Sequence, residues 1–383
     1  MSESLERGLL EYIASSEKEV ISLIEALCAI TAPSNDEGRR AEFCKSWLEN
    51  NGARGVYIDE ALNTVYPIGC ENSSDIVVFM AHTDTVFPDT EPMPFSRDGE
   101  YIYSPGVGDD TASLAVLLTV AKYIAKSGLE PKRGVLIVAN SGEEGLGNLK
   151  GVRRIMKDYE GRICALYSFD AQYNYVVNKC VGSHRYRVSV STEGGHSFSA
   201  FGNRNAIHAA AELICRLYQC DIPMDKDSKT TYNVGMIEGG TSVNTIAQSA
   251  SFLYEYRSDS AECLDRMRKF FFDTVGEFSK DDGARVDVCV VGERPCAGKV
   301  DEQVLAKMTD EVIDICTRHS KIACHPASGS TDSNIPMSLG VPSVTLGVYL
   351  GDGSHTREER VLIRSISVGL KIAFELVLKY FEK

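Results

Sequence analysis

Several common features are missing from this 383-residue chain, and each absence excludes a class of protein. The net charge is −14, and no dense stripe of Lys and Arg interleaves with aromatic residues, so nucleic-acid binding is not expected. No apolar run reaches the roughly 18 residues needed to span a bilayer. The first 20 residues show neither the basic nor the apolar region of a secretory signal. We therefore expect a cytoplasmic protein without a membrane partner.

Cysteine is plentiful, but the spacing of a metal or disulfide framework is missing. Among the twelve cysteines there is no Cys-x-x-Cys pair, and most stand among apolar residues, as Cys28 and Cys164 do. Structural zinc sites use closely spaced cysteine pairs, and a reducing compartment keeps thiols free. We expect buried free thiols and no structural zinc held by cysteine.

The length and the hydrophobic pattern predict two domains. Short apolar runs that are typical of strands buried on both faces alternate with amphipathic helical patterns, which predicts a largely parallel sheet in an α/β fold. The helical patterns are 4–30, 36–51 and 110–127, and the apolar runs are 75–81 (DIVVFMA), 134–140 (GVLIVAN) and 164–169 (CALYSF). In such sheets, ligands bind at the carboxyl ends of the strands.

The pattern changes at about residue 182, where half-exposed strands and two helices follow in the order β-α-β-β-α-β of a ferredoxin-like unit. A helical pattern at 304–317 and a buried strand at 342–347 then resume the first pattern. The prediction is a discontinuous α/β domain, residues 1–181 plus 295–383, that is interrupted by a smaller α+β domain, residues 182–294.

Ionisable residues stand where three of the predicted strands end. The three runs are followed by His82-Thr83-Asp84, by Glu143-Glu144 and by Asp170. Each group alone has a plain explanation as a polar surface turn. Stability rarely requires several ionisable groups at one edge of a sheet, so together they predict a functional site.

The chemistry of these groups suits a metallohydrolase. His82 can offer one ring nitrogen to a metal while Asp84 hydrogen-bonds the other nitrogen and fixes the ring. Glu143 and Glu144 are adjacent and point in different directions in a turn, so one can bind metal while the other takes a proton from water.

Asp109-Asp110 follows the segment Pro105-Gly106-Val107-Gly108 and precedes a predicted helix. Aspartate is favoured at helix N-caps, so Asp110 has a structural explanation as a cap. Capping does not explain the two glycines, which indicate a backbone forced into unusual dihedrals beside a ligand.

Taken in order, these motifs resemble those of the M20 metallopeptidase family, and the resemblance covers essentially the whole chain. It implies a zinc-exopeptidase-like catalytic domain with an inserted ferredoxin-like domain that serves as lid and dimerisation domain. The motifs are His82-Thr83-Asp84, Gly106-Val107-Gly108-Asp109-Asp110, Ser141-Gly142-Glu143-Glu144-Gly145, Asp170 and Ser354-His355-Thr356.

The resemblance also implies two divalent metal ions per subunit. Asp109 resembles the carboxylate that bridges the ions, with His82 and Asp170 completing one site and Glu144 and His355 the other. Mixed histidine and carboxylate ligation suits Zn²⁺, with Mn²⁺ or Co²⁺ as alternatives.

Three further features of the catalytic domain follow from the same resemblance. Glu143 resembles the general base, and Asp84 resembles the hydrogen-bond partner of His82. The Asp109-Asp110 peptide resembles one that is cis in the family.

In the inserted domain, His196 within Gly194-Gly195-His196-Ser197 resembles a histidine that reaches the active site of a dimer partner and stabilises the oxyanion. A homodimer through residues 182–294 is therefore expected. Asn244 and Arg257 match positions that bind substrate carbonyl and carboxylate groups, although Arg257 could equally form an ion pair along its strand. Gly329 lies in a segment, 328–334, that resembles a substrate loop; an ordinary Gly/Ser turn is the alternative.

The resemblance implies an exopeptidase that acts on small peptides through metal-activated water. An N-acyl amino acid deacylase or amidohydrolase with the same chemistry is the alternative, and a non-catalytic binding protein that kept the fold is a third hypothesis. The remaining histidines have no motif context and are expected on the surface or as satisfied interior residues: His184, His208, His319 and His325.

Overall fold

The computed structural model describes residues 6–225, 228–280 and 283–382. Residues 4 and 5 of the first predicted helix lie outside these ranges. The α-helices are α1 (Arg7–Cys28), α2 (Gly38–Asn50), α3 (Ser113–Ser127), α4 (Lys150–Asp158), α5 (Ala206–Leu217), α6 (Ala261–Phe278), α7 (Glu302–Ser320), α8 (Asn334–Ser338) and α9 (Ile363–Leu378).

The strands, numbered in chain order, are β1 (Tyr57–Ile58), β2 (Thr64–Ile68), β3 (Ile76–His82), β4 (Ser96–Arg97), β5 (Tyr101–Tyr103), β6 (Gly134–Asn140), β7 (Ile163–Phe169), β8 (Tyr175–Cys180), β9 (Gly182–Ser191), β10 (Gly195–His196), β11 (Thr230–Gly239), β12 (Thr245–Ile246), β13 (Ser249–Ser258), β14 (Arg285–Arg294), β15 (His325–Gly329), β16 (Ser343–Leu346), β17 (Gly351–Asp352) and β18 (Arg360–Leu362).

The chain divides into two compact units, Met1–Cys180 with Ala297–Lys383, and Val181–Cys296. The sequence pattern placed this division at 182 and 294. A discontinuous first unit therefore surrounds a continuous second one along the chain.

The main sheet of the first unit has the strand order β1-β2-β6-β3-β7-β16-β8-β15. Its centre is parallel, since β3 pairs in parallel with β6 and β7, and β16 pairs in parallel with β7. The pairs β2 with β6 and β8 with β16 are antiparallel. The predicted α/β fold with a mostly parallel sheet is confirmed.

Every residue of β3 is buried, because both faces of the sheet are covered. Val77 and Phe79 lie in a core with residues of α1, α3, α7 and α9, whereas Val78 and Met80 lie in a second core with residues of α4. Successive strand residues point to opposite faces. A continuous apolar run is therefore what a central strand of this sheet requires.

One predicted helix begins later than expected. The pattern predicted a helix from residue 110, but α3 begins at Ser113 because residues 107–112 form an irregular turn in which Asp109 and Asp110 have non-helical dihedrals. The turn places both acids before the helix, beside the end of β3.

The second unit contains an antiparallel sheet with the order β11-β13-β9-β14. Together with α5 and α6, these strands give the predicted β-α-β-β-α-β order of a ferredoxin-like unit. Alternate residues of β9, Tyr186, Val188 and Val190, pack against Leu213 of α5 and Phe271 of α6 in one core.

All twelve cysteines are free thiols, as expected, and most are buried. Among the described residues, no helix is long and apolar enough to cross a membrane.

Candidate metal centre

The centre lies at the carboxyl end of the first unit's central strands. Since β6, β3 and β7 are neighbours, their ends meet at one edge of the sheet. His82 is the last residue of β3, Asp170 follows β7 directly, and Glu144 lies on the turn after β6. The topology thus brings together side chains that are far apart in the sequence.

The carboxylate of Asp109 lies between two histidines. Its Oδ1 is 3.0 Å from Nε2 of His82, and its Oδ2 is 3.0 Å from Nε2 of His355. Candidate ligand atoms of His82, Asp109 and Asp170 lie within 4.8 Å of one another, and so do those of Asp109, Glu144 and His355. The five predicted ligands thus form two sets of three that share Asp109.

The ring of His82 is held in the tautomer that a metal ligand needs. Its Nδ1 lies 3.0 Å from the backbone oxygen of Asp84, and a carbonyl can only accept, so Nδ1 carries the proton. Nε2 is the nitrogen that faces Asp109, so it is the one that would bind a cation after losing its proton. The predicted partner, the Asp84 carboxylate, lies somewhat farther from Nδ1, with Oδ1 at 3.5 Å, so the backbone and the side chain of Asp84 both face this nitrogen.

The buried Asp84 carboxylate also fixes the turn after β6. It accepts hydrogen bonds from the backbone N–H groups of Glu143, at 3.0 Å, and Glu144, at 2.9 Å, and from the hydroxyl of Ser34, at 2.7 Å. Side-chain oxygens of both glutamates lie within 4.8 Å of a ring nitrogen of His82. Asp84 therefore orients the backbone of Glu143, the predicted general base, and of Glu144, the predicted metal ligand.

Asp110 does not cap the helix, contrary to the structural explanation that its position allowed. The N-cap of α3 is Ala112, and Oδ2 of Asp110 accepts the backbone N–H of His82 at 3.0 Å. The Asp109-Asp110 peptide is cis, as the resemblance implied. Asp110 thus ties its loop to the end of β3.

His355 is presented by a turn between β17 and β18. Its backbone lies in the left-handed region, with φ at 66°, which is uncommon for a residue with a side chain. Its Nε2 is 3.3 Å from Oε1 of Glu144. The side chain is 56% exposed, so it forms the open side of an otherwise buried cluster.

The electrostatics of the cluster follow from crowded acids in buried surroundings. Burial, together with the charge of Asp109, raises the pKa of Asp170 to about 7 and also raises the pKa of Glu144. Hydrogen bonds to Asp109 and Glu144 raise the pKa of His355 to about 11. Burial acts upward on Asp109 too, but hydrogen bonds from His355 and His82 hold its pKa below its usual range. In the absence of a cation, protons on Asp170, Glu144 and His355 therefore offset part of the negative charge of the acids.

The residues present fit a pair of divalent cations. Imidazole nitrogens and carboxylate oxygens are good ligands of Zn²⁺, Mn²⁺ and Co²⁺. Oε1 of Glu144 is buried, and Nε2 of His355 lies 3.3 Å from it. A cation beside this buried oxygen would offset the cost of burying the charge of Glu144, and metal binding would displace the protons that the cluster otherwise holds.

Arg40 fixes two of the loops that carry the cluster. The residue is 1% exposed, and its Nη1 donates to the backbone oxygen of Thr83 at 2.8 Å and to the hydroxyl of Thr111 at 3.3 Å. Thr83 follows His82, and Thr111 follows Asp110. One buried guanidinium therefore links the end of β3 to the irregular turn.

Three site residues were predicted in the second unit, and two of them, His196 and Asn244, lie beside each other. The backbone N–H of Ser197 donates to the carbonyl of Asn244 at 3.0 Å, which places Asn244 beside His196, and both side chains are exposed. Arg257 lies on β13 and makes two hydrogen bonds of 3.1 Å to Glu255, the ion pair that was the alternative for this residue.

Gly329 is the last residue of β15, and most of the predicted substrate loop after it is a buried, hydrogen-bonded turn. Thr331 donates its N–H to Oδ1 of Asn334 at 2.9 Å. Oδ2 of Asp332 accepts from Nδ2 of Asn140 at 2.6 Å. The turn is thus tied to the end of β6, the strand that leads to Glu143.

Three residues of the site were missed from the sequence: Ser34, Arg40 and Glu359. Glu359 is 1% exposed and accepts hydrogen bonds from the backbone of the irregular turn. In the sequence it stands in a charged run, Arg357-Glu358-Glu359-Arg360, where nothing distinguishes it from the exposed Glu358.

The family model described as peptidase family M20/M25/M40 matches residues 78–379. A putative succinyl-diaminopimelate desuccinylase DapE of Mycobacterium tuberculosis is 25% identical over 365 residues, which are 92% of this chain and 96% of the relative. This comparison covers both units of the chain.

Two solved structures have a similar fold. A tripeptidase from Staphylococcus aureus aligns with a TM-score of 0.69 at 23% identity, covering 94% of this chain and 97% of the other. A dinuclear metal-binding peptidase of the M20 family from Bacillus subtilis aligns with a TM-score of 0.62 at 14% identity, covering 96% and 99%.

The family match spans most of the chain, including the His82, Asp109, Glu144, Asp170 and His355 cluster. The chain therefore belongs to peptidase family M20/M25/M40 and is a metallohydrolase of the peptidase and amidohydrolase class.

Proposed function

We propose that this protein is a di-metal exopeptidase that hydrolyses peptide bonds in small peptides. The observation that supports this most is the position of Asp109, whose two oxygens face the histidines of two ligand sets. In the proposal, His82 and Asp170 complete one cation site, and Glu144 and His355 complete the other. Zn²⁺ suits these ligands best, with Mn²⁺ or Co²⁺ as alternatives.

Two divalent ions so held supply Lewis acidity, which polarises a carbonyl and lowers the pKa of water. Glu143 is the proposed general base, which takes the proton from the attacking water and returns it to the leaving amine. Its backbone N–H is held by Asp84, and a carboxylate oxygen of Glu143 lies within 4.8 Å of a ring nitrogen of His82. The fixed Nδ1–H of His82 keeps Nε2 available as a ligand.

We assign His196 to stabilisation of the developing oxyanion in the site of a partner subunit, in a homodimer formed through residues 182–294. The support is that His196 is exposed among large exposed apolar side chains: Phe198 is 87% exposed, Phe201 is 90% exposed, and Val243 is fully exposed. Such side chains are unfavourable in water and suit burial by a second copy of the chain. Asn244, Arg257 and Gly329 are proposed to bind the carbonyl and carboxylate groups of the substrate.

Replacing the proposed base separates catalysis from metal binding. Glu143→Gln should retain the metal content of the wild type while the turnover of a dipeptide panel falls by about 10²–10⁴-fold. Glu160→Gln, an exposed glutamate after α4, is the matched control and should leave turnover unchanged. Wild-type turnover in Glu143→Gln would contradict the assignment.

A deacylase of N-acyl amino acids is the second candidate, because one relative is named as a putative desuccinylase. The metal-binding residues serve both reactions, since specificity depends on the pocket around them. Turnover of di- and tripeptides should be compared with that of N-acetyl and N-succinyl amino acids. Turnover of the acyl amino acids alone would replace the peptidase proposal.

We also propose a cytoplasmic location. The support is that the twelve cysteines are free, as a reducing compartment would keep them.

A further inference from the structure

The buried carboxylate of Glu359 accepts three hydrogen bonds from the backbone of the segment that carries Asp109. Its Oε2 accepts the backbone N–H of Gly106 at 2.6 Å, and its Oε1 accepts those of Gly108 at 2.9 Å and Asp109 at 2.8 Å. Hydrogen bonds to an ionised acceptor are shorter and stronger than neutral ones. One buried carboxylate therefore holds three of the four backbone donors in the segment 106–109, while the fourth, the N–H of Val107, goes to the carbonyl of Ser104.

The approach of this carboxylate explains why Gly108 lacks a side chain. A Cβ atom on Gly108 would lie 2.8 Å from the Tyr349 ring and hydroxyl and 2.9 Å from Oε1 of Glu359. At Gly106, where φ is +73°, a Cβ atom would lie 2.6 Å from Cγ2 of Thr85. Gly108 therefore permits the close approach of Glu359, whereas Gly106 is required by its positive φ and by the nearby Thr85.

Glu359 also connects two segments that carry ligands. It precedes β18, which pairs with β5 just before the irregular turn, and the carbonyl of Glu359 accepts the N–H of Ser104 at 3.2 Å. His355 lies on the same short connection between β17 and β18. The backbone of Glu359 thus belongs to the segment of His355, while its carboxylate holds the segment of Asp109.

We propose that Glu359 is a positioning residue for the metal pair: it sets the carboxylate of Asp109 between His82 and His355 by fixing the backbone on which that carboxylate stands. This inference rests on the proposed metal site. Outer partners of metal ligands fix ligand direction, and their loss typically weakens metal binding by about 10–100-fold.

The test compares Glu359→Gln with Glu358→Gln, the same chemical change at the exposed neighbouring residue. In glutamine, an NH2 group replaces one of the two carboxylate oxygens. It can only donate, so it cannot accept the backbone N–H groups that bind that oxygen in Glu359. After removal of metal by a chelator, each full-length protein is titrated with Co²⁺ alone and followed by calorimetry and by the visible absorption of bound Co²⁺. Thermal unfolding of the metal-free proteins is recorded in parallel.

We expect Glu359→Gln to bind Co²⁺ about 10–100-fold more weakly than Glu358→Gln and to show a changed absorption spectrum. Its kcat should fall with little change in KM, since the substrate contacts remain. Gly108→Ala should change the spectrum in the same way, because its Cβ would collide with Glu359 and Tyr349.

Equal Co²⁺ affinity and spectra in the two glutamine variants would overturn the inference while leaving the proposed function intact. If Glu359→Gln does not fold, Glu359→Asp, which keeps the charge but shortens the side chain, takes its place in the titration. Failure of both to fold without metal would overturn the inference too, since Glu359 would then support the whole unit. A wild type that binds no Co²⁺ would contradict the proposed function itself.

Discussion

The two units differ in what they bury. Among its described residues, the first unit buries seven acids: Glu37, Asp84, Asp110, Glu143, Glu144, Asp332 and Glu359. In the described part of the second unit no Asp or Glu is buried, and the core consists of apolar and aromatic side chains around Tyr186 and Phe271. Buried carboxylates are costly unless they are paired or bind a cation. The excess of buried acid therefore marks the first unit as the one that holds the chemistry.

The second unit differs at its surface. Phe198, Phe201 and Val243 are almost completely exposed there, whereas the described first unit has no large apolar side chain as exposed as these. Exposed apolar clusters mark interaction surfaces more often than isolated residues do. The first unit is thus distinguished by buried acidic side chains and the second by exposed apolar side chains. The predictions below test whether these two features serve catalysis and association, respectively.

The largest effect is expected from the acid shared by both ligand sets. Asp109→Asn removes the charge between His82 and His355, so metal binding should weaken and peptide turnover should fall by about 10³-fold or more. Asp75→Asn, at the opposite end of β3 with 48% of its side chain exposed, is the matched control. Metal content and turnover should be measured on both proteins. Wild-type turnover in Asp109→Asn would contradict the proposal that Asp109 is a ligand shared by two catalytic metal ions.

The next effect concerns the proposed contribution of the second unit to catalysis. His196→Ala should lower kcat by about 10²–10³-fold, as loss of an oxyanion donor does. His208→Ala, an exposed histidine of the same unit, is the control. Mixing His196→Ala with Glu143→Gln should restore part of the activity if the histidine acts in the partner's site. No restoration after verified subunit exchange would show that it does not.

A smaller effect is expected from the apolar surface itself. Replacing Phe198 and Phe201 by Ser should shift a dimer towards monomer in analytical ultracentrifugation, with little loss of thermal stability, because both side chains are exposed. Leu10→Ser, an exposed apolar residue of the first unit, should leave the association state unchanged. A dimer of unchanged affinity in the double variant would place the interface elsewhere.

The smallest effect concerns a histidine inside the second unit. His184 is buried with Nδ1 at 2.8 Å from the hydroxyl of Tyr256, and burial lowers its pKa from 6.5, with Glu293 and Asp265 acting upward and Arg268 downward. The neutral form is thus favoured on folding, while the unfolded chain takes up a proton below its own pKa.

The stabilising contribution of neutral His184 is therefore present above about pH 6.5 and lost as the pH falls below that value, by at most about 1.4 kcal/mol per pH unit. His184→Gln should reduce this loss when denaturant unfolding is compared at about pH 7.5 and pH 5.5. The same pH dependence in variant and wild type would assign the effect to another group.

Much of this architecture could be predicted from the sequence because its signals are local. The run that became β3 is apolar at nearly every position, as a strand covered on both faces must be, and β9 alternates as a strand covered on one face does. His82, Asp170 and Glu144 could be grouped because they follow strands of one parallel sheet, whose carboxyl ends meet.

The remainder depends on contacts that no local pattern encodes. Glu359 and Glu358 have the same side chain and adjacent positions, but only the first turns inward to the N–H groups of Gly106 and Gly108. Arg40 lies within an ordinary amphipathic helix, and its partner Thr83 is supplied by a strand end 43 positions away. Asp110 fits the pattern of a helix cap, but it bonds to the backbone of β3 because the irregular turn precedes the helix.

The most direct test of the metal centre is the number of ions that the wild-type protein binds. The chain should be purified without chelator, dialysed against Zn²⁺ and then against buffer, and analysed for zinc per chain by elemental mass spectrometry. Two ligand sets that share Asp109 predict about two zinc ions per chain, with the second lost on Asp109→Asn. Fewer than about one ion per wild-type chain would contradict the proposal that the two ligand sets hold a metal pair.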